Sequence, residues 1–221
     1  MPVHCLKCTR ITPFCICSEM PKIQTDLNIL IIRHHKETKR RSNTARITSI
    51  CIPSIRIMQY PFLQKPPTFD STNDLLVYPV SNETTIRNSI DRETYFEKAK
   101  NSQKHKRLIF LDGTWSQTRK MYRKTPNLHQ VSWISLSASP KPPPKIRQSS
   151  FSNGMSTMEC VGRAIGLFDQ PEKESTLYRG LEIWIDAVRR NSGIALPLES
   201  GESFSEVRIR EARQILSTIQ N

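Results

Sequence analysis

Four short and nearly continuous apolar runs predict buried β-strands in this chain. They occupy residues 26–33, 74–79, 107–111 and 131–136. Strands that are apolar at consecutive positions are usually covered on both faces, as in a parallel sheet.

Between and after these runs, apolar residues recur every three or four positions, which predicts helices. The alternation of strands with helices is typical of an α/β fold. The segments 60–73 and 137–153 are rich in proline and polar residues, so we expect loops there. The predicted helices are 43–51, 114–123, 156–168 and 174–190, with Ser42 or Asn43 as the cap of the first.

The composition adds a strong positive charge to this picture. Among 221 residues, 33 Lys and Arg face 20 Asp and Glu, a net charge of +13. Such an excess indicates a polyanionic partner, first nucleic acid and second an anionic membrane, although a generally basic proteome would also produce it. The chain has no apolar run long enough for a membrane span and no apolar stretch near its first residues, so we expect a cytoplasmic protein.

Four of the six cysteines lie close together in the sequence, as Cys5-x₂-Cys8 and Cys15-x-Cys17. In a reducing compartment such thiols are free, metal-bound or catalytic. A redox pair at Cys5 and Cys8 is the alternative, but no βαβ unit precedes it. The spacing favours a structural zinc ion held by all four thiolates, with His4 as a spare ligand.

A basic loop joins the first predicted strand to the first helix. Ligands of parallel sheets bind at this end of the strands. Here Ser42, Asn43, Thr44 and free helix N–H groups could bind a carboxylate or phosphate, while the cations could hold an RNA backbone. A solvated, capped loop is the alternative interpretation. The cations are Lys36, Lys39, Arg40, Arg41 and, in the helix, Arg46.

The third predicted strand runs into Asp112-Gly113-Thr114-Trp115. Gly113 permits a close backbone approach, Thr114 can cap the following helix, and Trp115 can stack. A capped turn with a core tryptophan is the plain structural alternative. The following helix places basic residues around Tyr122, which is typical of a nucleic-acid-binding face; they are Arg119, Lys120, Arg123 and Lys124.

The last predicted site precedes the helix at 156–168. Ser156 and Glu159 form a capping-box pattern, S-x-x-E. The irregular segment before it could also form one wall of a cofactor pocket.

Taken together and in this order, these motifs resemble the DTW-domain family from Cys5 to about Arg190. The resemblance rests on the cysteine pairs, the block Ser42–Arg46, Asp112–Trp115 and Ser156–Glu159. It implies a tRNA-uridine aminocarboxypropyltransferase with a SPOUT-like parallel sheet and a C-terminal trefoil knot. It also implies S-adenosylmethionine as cofactor, with these binding residues: Ser42, Asn43, Thr44, Leu136, Gly154, Ser156, Thr157 and Glu159. The chain departs from the family around His34-His35-Lys36-Glu37.

This resemblance implies a division into a zinc-binding segment 1–22, a catalytic domain 23–195 and a basic helical tail 196–221. Uridine N3 would attack the methionine γ-carbon, with Asp112 as candidate base, Thr114 beside it and Trp115 stacked on uracil or adenine. Asn43, Thr44 and Arg46 would hold a phosphate or the aminocarboxyl group. The rivals are a methyltransferase using the same cofactor and a non-catalytic, zinc-bearing RNA-binding protein.

Overall fold

A computed structural model describes residues 3–40, 42–63, 66–78, 107–137, 139–143 and 154–192. For residues 191 and 192 it describes the backbone only. Within these ranges five strands form one sheet in the order β2-β1-β4-β3-β5, and every pair is parallel. This confirms the predicted parallel α/β architecture. The strands are β1 Asn28–His34, β2 Arg56–Tyr60, β3 Asp74–Val77, β4 Arg107–Asp112 and β5 Ser132–Ile134.

The register brings the ends of the two central strands together. Arg33 near the end of β1 is in register with Asp112, which ends β4. Because all five strands run in the same direction, their carboxyl ends lie along one side of the sheet. We call this side the carboxyl edge.

Helices cover both faces of the sheet. They are α1 His35–Thr38, α2 Thr44–Cys51, α3 Trp115–Arg123, α4 Thr157–Phe168 and α5 Pro171–Ser192, with short 3₁₀ turns at Thr12–Phe14 and Pro126–Leu128. On one face α2, α4 and α5 bury a core that includes Ile31, Phe110 and Trp184. On the other face α3 covers Leu30 and Ile109. The sheet is therefore the middle layer of three.

The cysteine-rich segment is part of the first core. Cys8, Ile16 and Met20 are buried against the same apolar cluster as α5. The Arg10 guanidinium also donates a hydrogen bond to the Ala187 carbonyl at 2.7 Å. The segment is thus fixed to the layer of helices beside β1.

Among the described residues, one strand and one α-helix were not predicted from the sequence, besides the two 3₁₀ turns. Strand β2 was not recognised because it is an edge strand with only partly buried apolar residues. The single turn α1 lies within the loop predicted after β1. Arg41, the greater part of the predicted loop 137–153 and the tail 196–221 lie outside the described residues. No helix among the described ranges is long and apolar enough to cross a membrane.

Candidate functional site

Asp112 joins three distant parts of the chain at the carboxyl edge. Its Oδ2 accepts a hydrogen bond from Asn43 Nδ2 at 2.7 Å, and its Oδ1 accepts one from Thr157 Oγ1 at 2.6 Å. Asn43 caps α2 by accepting from the Arg46 N–H at 3.0 Å. Three of the predicted site segments therefore meet on one carboxylate.

This carboxylate is deeply buried, with 5% of its surface exposed. Burial raises the pKa of Asp112, while hydrogen bonds from Thr157 and Asn43 and the charges of Arg33 and Arg40 act in the opposite direction. A raised pKa makes a carboxylate a better proton acceptor near neutral pH.

Three arginines surround Asp112, and two of them have partners. The Arg40 guanidinium lies 3.2 Å from the buried Glu37 carboxylate. Arg46 donates to Thr9 Oγ1 at 2.9 Å and to the Thr38 carbonyl.

The third arginine, Arg33, differs from the other two. Its Nε is buried and has no hydrogen-bond partner within the ranges that the structure describes. In those ranges its guanidinium also has no carboxylate within ion-pair distance. Its charge nevertheless acts on both Asp112 and Arg46, which places it in the same cluster.

The turn after β4 approaches the end of β1 closely. A Cβ on Gly113 would lie 3.0 Å from Gln117 Oε1 and 3.5 Å from the Cβ of His34. Gln117 Oε1 accepts from the Thr114 N–H at 2.7 Å, and Thr114 Oγ1 accepts from the Gln117 N–H at 3.4 Å. Thr114 therefore completes a capping box for α3, which confirms its predicted role as a cap, whereas its catalytic role stays a prediction.

Next to this turn, His34 is 6% exposed. Burial, followed by the charges of His35, Lys36 and Lys120, lowers its pKa. Its Nδ1 accepts a hydrogen bond from the Lys36 N–H at 3.3 Å. The ring is thus neutral at pH 7, and its proton is on Nε2.

On the opposite face of the sheet from Asp112, Trp115 is part of an aromatic cluster. Its ring stacks on Tyr78 with centroids 5.7 Å apart, and Tyr78 stacks on Tyr122 at 5.4 Å. The Arg119 guanidinium lies 5.6 Å from the Trp115 ring centroid. Trp115 is only partly buried, so a surface of aromatic and cationic groups begins at this point.

The predicted cofactor residues lie around the start of α4. Ser156 and Glu159 form the predicted capping box, in which the Ser156 N–H donates to Glu159 Oε2 at 2.7 Å. Leu136 packs against the core beneath them, and Gly154 precedes the cap. Ser42 and Thr44 are the sequence neighbours of Asn43, at the N-terminus of α2 on the other side of Asp112. Seven of the eight residues therefore lie at or next to the two helix N-termini that meet at Asp112, whereas Leu136 packs against the core.

The predicted RNA-contacting cations fall into two groups. Arg119, Lys120, Arg123 and Lys124 are exposed on α3. Lys36 and Arg40 are exposed on or beside α1, whereas Arg46 is half-buried and hydrogen-bonded inside the protein. The structure therefore presents α3 as the denser patch of exposed cations.

The four N-terminal cysteines form a compact cluster. All four Sγ atoms lie within 4.8 Å of one another, with Cys5–Cys17 at 3.8 Å and Cys8–Cys15 at 3.7 Å. A tetrahedral zinc site with Zn–S bonds of about 2.3 Å has sulfur–sulfur edges of about 3.8 Å. The donor set and its spacing therefore fit a closed tetrahedral site.

The backbone around the first cysteine pair is tightly turned. Thr9 adopts a φ of 60°, and its N–H donates to the Cys5 carbonyl at 2.8 Å. Hydrogen bonds from the Cys8 backbone lower the pKa of Cys5 to about 6, whereas burial and then the neighbouring thiols raise the pKa of Cys17. Four sulfurs this close can all ionise only beside a cation, which a bound metal supplies.

Comparison with known proteins identifies the family of the chain. The model of the DTW domain matches residues 3–189. The chain belongs to the DTW-domain family. Proteins named tRNA-uridine aminocarboxypropyltransferase 2 from Drosophila melanogaster and Mus musculus are 25% and 23% identical to it. The matches cover 80% and 81% of this chain, and 71% and 61% of those relatives. No solved structure matches the chain.

In this DTW chain, the residues that give the family its name have three different environments. Asp112 is buried in the network, Thr114 caps α3, and Trp115 lies in the aromatic cluster. Sequence reasoning missed Arg33, His34 as a buried neutral ring, and Tyr78 beneath Trp115. Arg33 and His34 had one usable signal, since they are the first polar residues after the apolar run of β1.

Proposed function

We propose that this DTW protein transfers the 3-amino-3-carboxypropyl group of S-adenosylmethionine to N3 of a uridine in tRNA. The observation that carries the proposal is the meeting of Asn43, Asp112 and Thr157 at the carboxyl edge. Two relatives of the chain are named tRNA-uridine aminocarboxypropyltransferase 2, which supports transfer of this group to a uridine in tRNA. S-adenosylmethionine supplies a γ-carbon activated by its sulfonium.

The chemistry requires the uridine to lose a proton. A bond forms between N3 and Cγ while the Cγ–S bond breaks, and its electron pair passes to sulfur to give methylthioadenosine. Neutral N3 is a poor nucleophile, so a group that accepts its proton accelerates transfer. Asp112 is our candidate, and its raised pKa supports this role.

Because Asp112 is buried, a second group has to pass the N3 proton to it. Thr157 is less buried, and its hydroxyl donates to Asp112 Oδ1 at 2.6 Å. The hydroxyl can accept the N3 proton as it passes its own to Asp112. We therefore assign proton transfer to the pair, with Thr157 touching the substrate. Asp112 can still accept this proton, because a carboxylate retains free lone pairs after it has accepted two hydrogen bonds.

The remaining residues bind and orient. We propose that Ser42, Asn43, Thr44, Leu136, Gly154, Ser156 and Glu159 line the donor site between the two helix N-termini. The cations on α3 and near α1 hold the RNA backbone, and Trp115 contacts a base. Stacking of this kind contributes roughly 1–3 kcal/mol per base.

We further propose that the cysteine cluster holds one structural zinc ion. With all four ligands contributed by the protein, such a site has no open position for water, so it supports the fold rather than the reaction. Reduced thiol ligands and a tRNA substrate are consistent with a cytoplasmic protein. A SPOUT-like knot and the division at residues 22 and 195 remain part of this proposal.

A single labelling experiment tests the function against its rivals. Unmodified tRNA is incubated with the protein and S-adenosylmethionine labelled either in the carboxyl group or in the methyl group. We expect only the carboxyl label to enter tRNA, with release of methylthioadenosine. Methyl label in tRNA, with S-adenosylhomocysteine as product, would identify a methyltransferase instead. Tight tRNA binding without either transfer would identify a non-catalytic RNA-binding protein.

A further inference from the structure

We infer that Arg33 is the binding site for the carboxylate of the group that is transferred. The inference rests on the proposed function and adds a specificity-determining residue to it. Arg33 lies near the carboxyl end of β1, in register with Asp112 on the adjacent strand. In a parallel pair, residues in register point to the same face, so the two side chains project toward α2 and α4.

Of the three arginines near Asp112, Arg33 is the one without a partner among the described residues. Arg40 is paired with Glu37, and Arg46 is hydrogen-bonded to Thr9 and Thr38. Asp112 accepts hydrogen bonds from Asn43 and Thr157, and among the described residues it makes no ion pair with Arg33. Arg33 has a buried Nε with no hydrogen bond, and no ion pair, within the described ranges. Burying an unsatisfied charged donor is costly, which indicates an anionic ligand.

The shape and depth of the Arg33 guanidinium favour a small, planar anion. A guanidinium presents donors in a planar fork that matches a carboxylate with two parallel hydrogen bonds. The Nε of Arg33 lies below the surface, whereas the phosphates of a folded RNA remain outside. A compact carboxylate can reach it beside Asp112 and the α2 N-terminus. An RNA phosphate fits the exposed cations of α3 better.

This position would also decide which carbon reacts. The carboxylate belongs to the aminocarboxypropyl group and not to the methyl or adenosyl group. Holding it at β1, next to the Asp112–Thr157 pair, directs the γ-carbon toward the uridine from which that pair takes a proton. Arg33 thus selects this donor group over the methyl group by orientation.

Three ligands separate the contribution of the carboxylate in a binding experiment. Calorimetry compares S-adenosylmethionine, its decarboxylated analogue and methylthioadenosine on the wild-type protein and on Arg33→Gln. We expect the variant to bind S-adenosylmethionine about 10- to 100-fold more weakly, the range for a charge-assisted hydrogen bond. Its affinity for the two ligands without a carboxylate should stay within about twofold of the wild type, because they do not use this contact.

Two further variants keep the result interpretable. Arg33→Lys retains the charge without the fork, so we expect an intermediate loss that is confined to S-adenosylmethionine. Arg56→Gln makes the same charge change at the opposite end of the sheet, where Arg56 is exposed, and should behave as wild type. Thermal unfolding of each variant without ligand reports whether it is folded.

The outcomes distinguish this inference from the proposed function. If Arg33→Gln weakens all three ligands equally, or none, Arg33 does not bind the carboxylate, and the transferase assignment is unaffected. If Arg33→Gln weakens tRNA binding while S-adenosylmethionine binding is preserved, the ligand of Arg33 is an RNA phosphate and the inference is wrong. If the wild-type protein binds none of the three ligands, the proposed function fails together with it.

Discussion

Asp112 Oδ2 accepts a hydrogen bond from Asn43 Nδ2 at 2.7 Å, although 69 residues separate them in the sequence. The bond fixes the N-terminus of α2 to the end of β4. Through Oδ1, the same carboxylate fixes the start of α4. One side chain therefore sets the spacing of two helix N-termini, between which we place the donor site.

Replacing Asp112 by asparagine separates its chemical role from its structural one. The amide introduced by Asp112→Asn can accept from Asn43 and donate to Thr157, so both hydrogen bonds survive. We expect single-turnover transfer to fall about 10²- to 10⁴-fold, because an amide cannot accept the proton. Binding of S-adenosylmethionine should change little. Transfer near the wild-type rate by a folded variant would exclude Asp112 as the proton acceptor, whereas rescue at high pH, where N3 ionises unaided, would support it.

The same variant should not lose stability at pH 7. The pKa of Asp112 is higher in the folded than in the unfolded chain, so its contribution is most favourable below the unfolded pKa and is lost as pH rises through the folded pKa. An amide avoids this penalty at neutral pH. Asp112→Ala is the contrasting variant, since it removes both hydrogen bonds and should cost about 2–4 kcal/mol in the free energy of unfolding.

Thr157 can be tested by a pair of variants of similar size. Thr157→Val removes the hydroxyl and should reduce the transfer rate at pH 7 by about 10²-fold or more, if the hydroxyl passes the proton to Asp112. Thr157→Ser retains the hydroxyl and should recover most of that rate. Equal activity of the valine and serine variants would show that Asp112 does not act through Thr157.

His34 predicts a pH-dependent stability. The pKa of the folded His34 is lowered by burial, so the unfolded chain binds the proton more tightly. Its contribution to stability is therefore present above the unfolded pKa of about 6.5 and is lost as pH falls through the folded pKa. Urea unfolding between pH 7 and pH 5 should show this loss in the wild type and a flatter dependence in His34→Gln.

Tyr60→Phe is the matched control for this experiment. The Tyr60 ring centroid lies 6.1 Å from that of His34, and the change alters the same neighbourhood without removing the imidazole. An unchanged pH dependence in His34→Gln would mean that another group is responsible.

Metal analysis of the purified protein should find one zinc per chain. Replacing Cys5, Cys8, Cys15 and Cys17 by serine should remove it and lower the melting temperature. We expect a shift of about 5 °C or more, since each kcal/mol corresponds to about 2–4 °C in a chain of this size. Cys160→Ala removes a cysteine outside the cluster and should retain the metal. Zinc bound by the quadruple variant would contradict the assignment.

The exposed cations of α3 predict how tRNA binding depends on salt. Each phosphate contact contributes roughly 0.7–0.9 to the slope of log affinity against log salt concentration. Arg119→Ala combined with Arg123→Ala should flatten that slope by about 1.4–1.8. A pair at other exposed positions, Arg56→Ala with Arg190→Ala, should leave it unchanged. An unaltered slope in the α3 variant would show that this helix does not touch the RNA backbone. The double variant Arg40→Ala and Arg41→Ala tests the loop after β1 in the same way.

The sequence was sufficient for the parts of the fold that depend on local patterns. Continuous apolar runs located β1, β3, β4 and β5, and capping residues located the starts of α2, α3 and α4 within a residue or two. Strand β2 was not predicted because it is an edge strand of the described sheet, where residues need not be apolar.

The site was predictable only in part, for a related physical reason. Motif spacing indicates which residues matter, but burial and partners depend on contacts between distant segments. The residue type of Thr114 indicates a helix cap, but nothing in the sequence indicates that Thr157, 43 residues later, bonds to Asp112. The sequence also gives no sign that Arg33 differs from Arg40 and Arg46 in lacking a partner among the described residues.

Arg46 has a consequence beyond its own hydrogen bonds. Arg46 lies in the first turn of α2, three residues after Asn43. Its guanidinium donates hydrogen bonds to Thr9, which follows Cys8, and to the carbonyl of Thr38 at the end of α1. Local opening of either region would break hydrogen bonds to the other, so we expect the cysteine segment and the first turn of α2 to unfold as one cooperative unit. We therefore expect the amide hydrogens of the two regions to exchange with solvent together, and more slowly when the proposed zinc ion is bound.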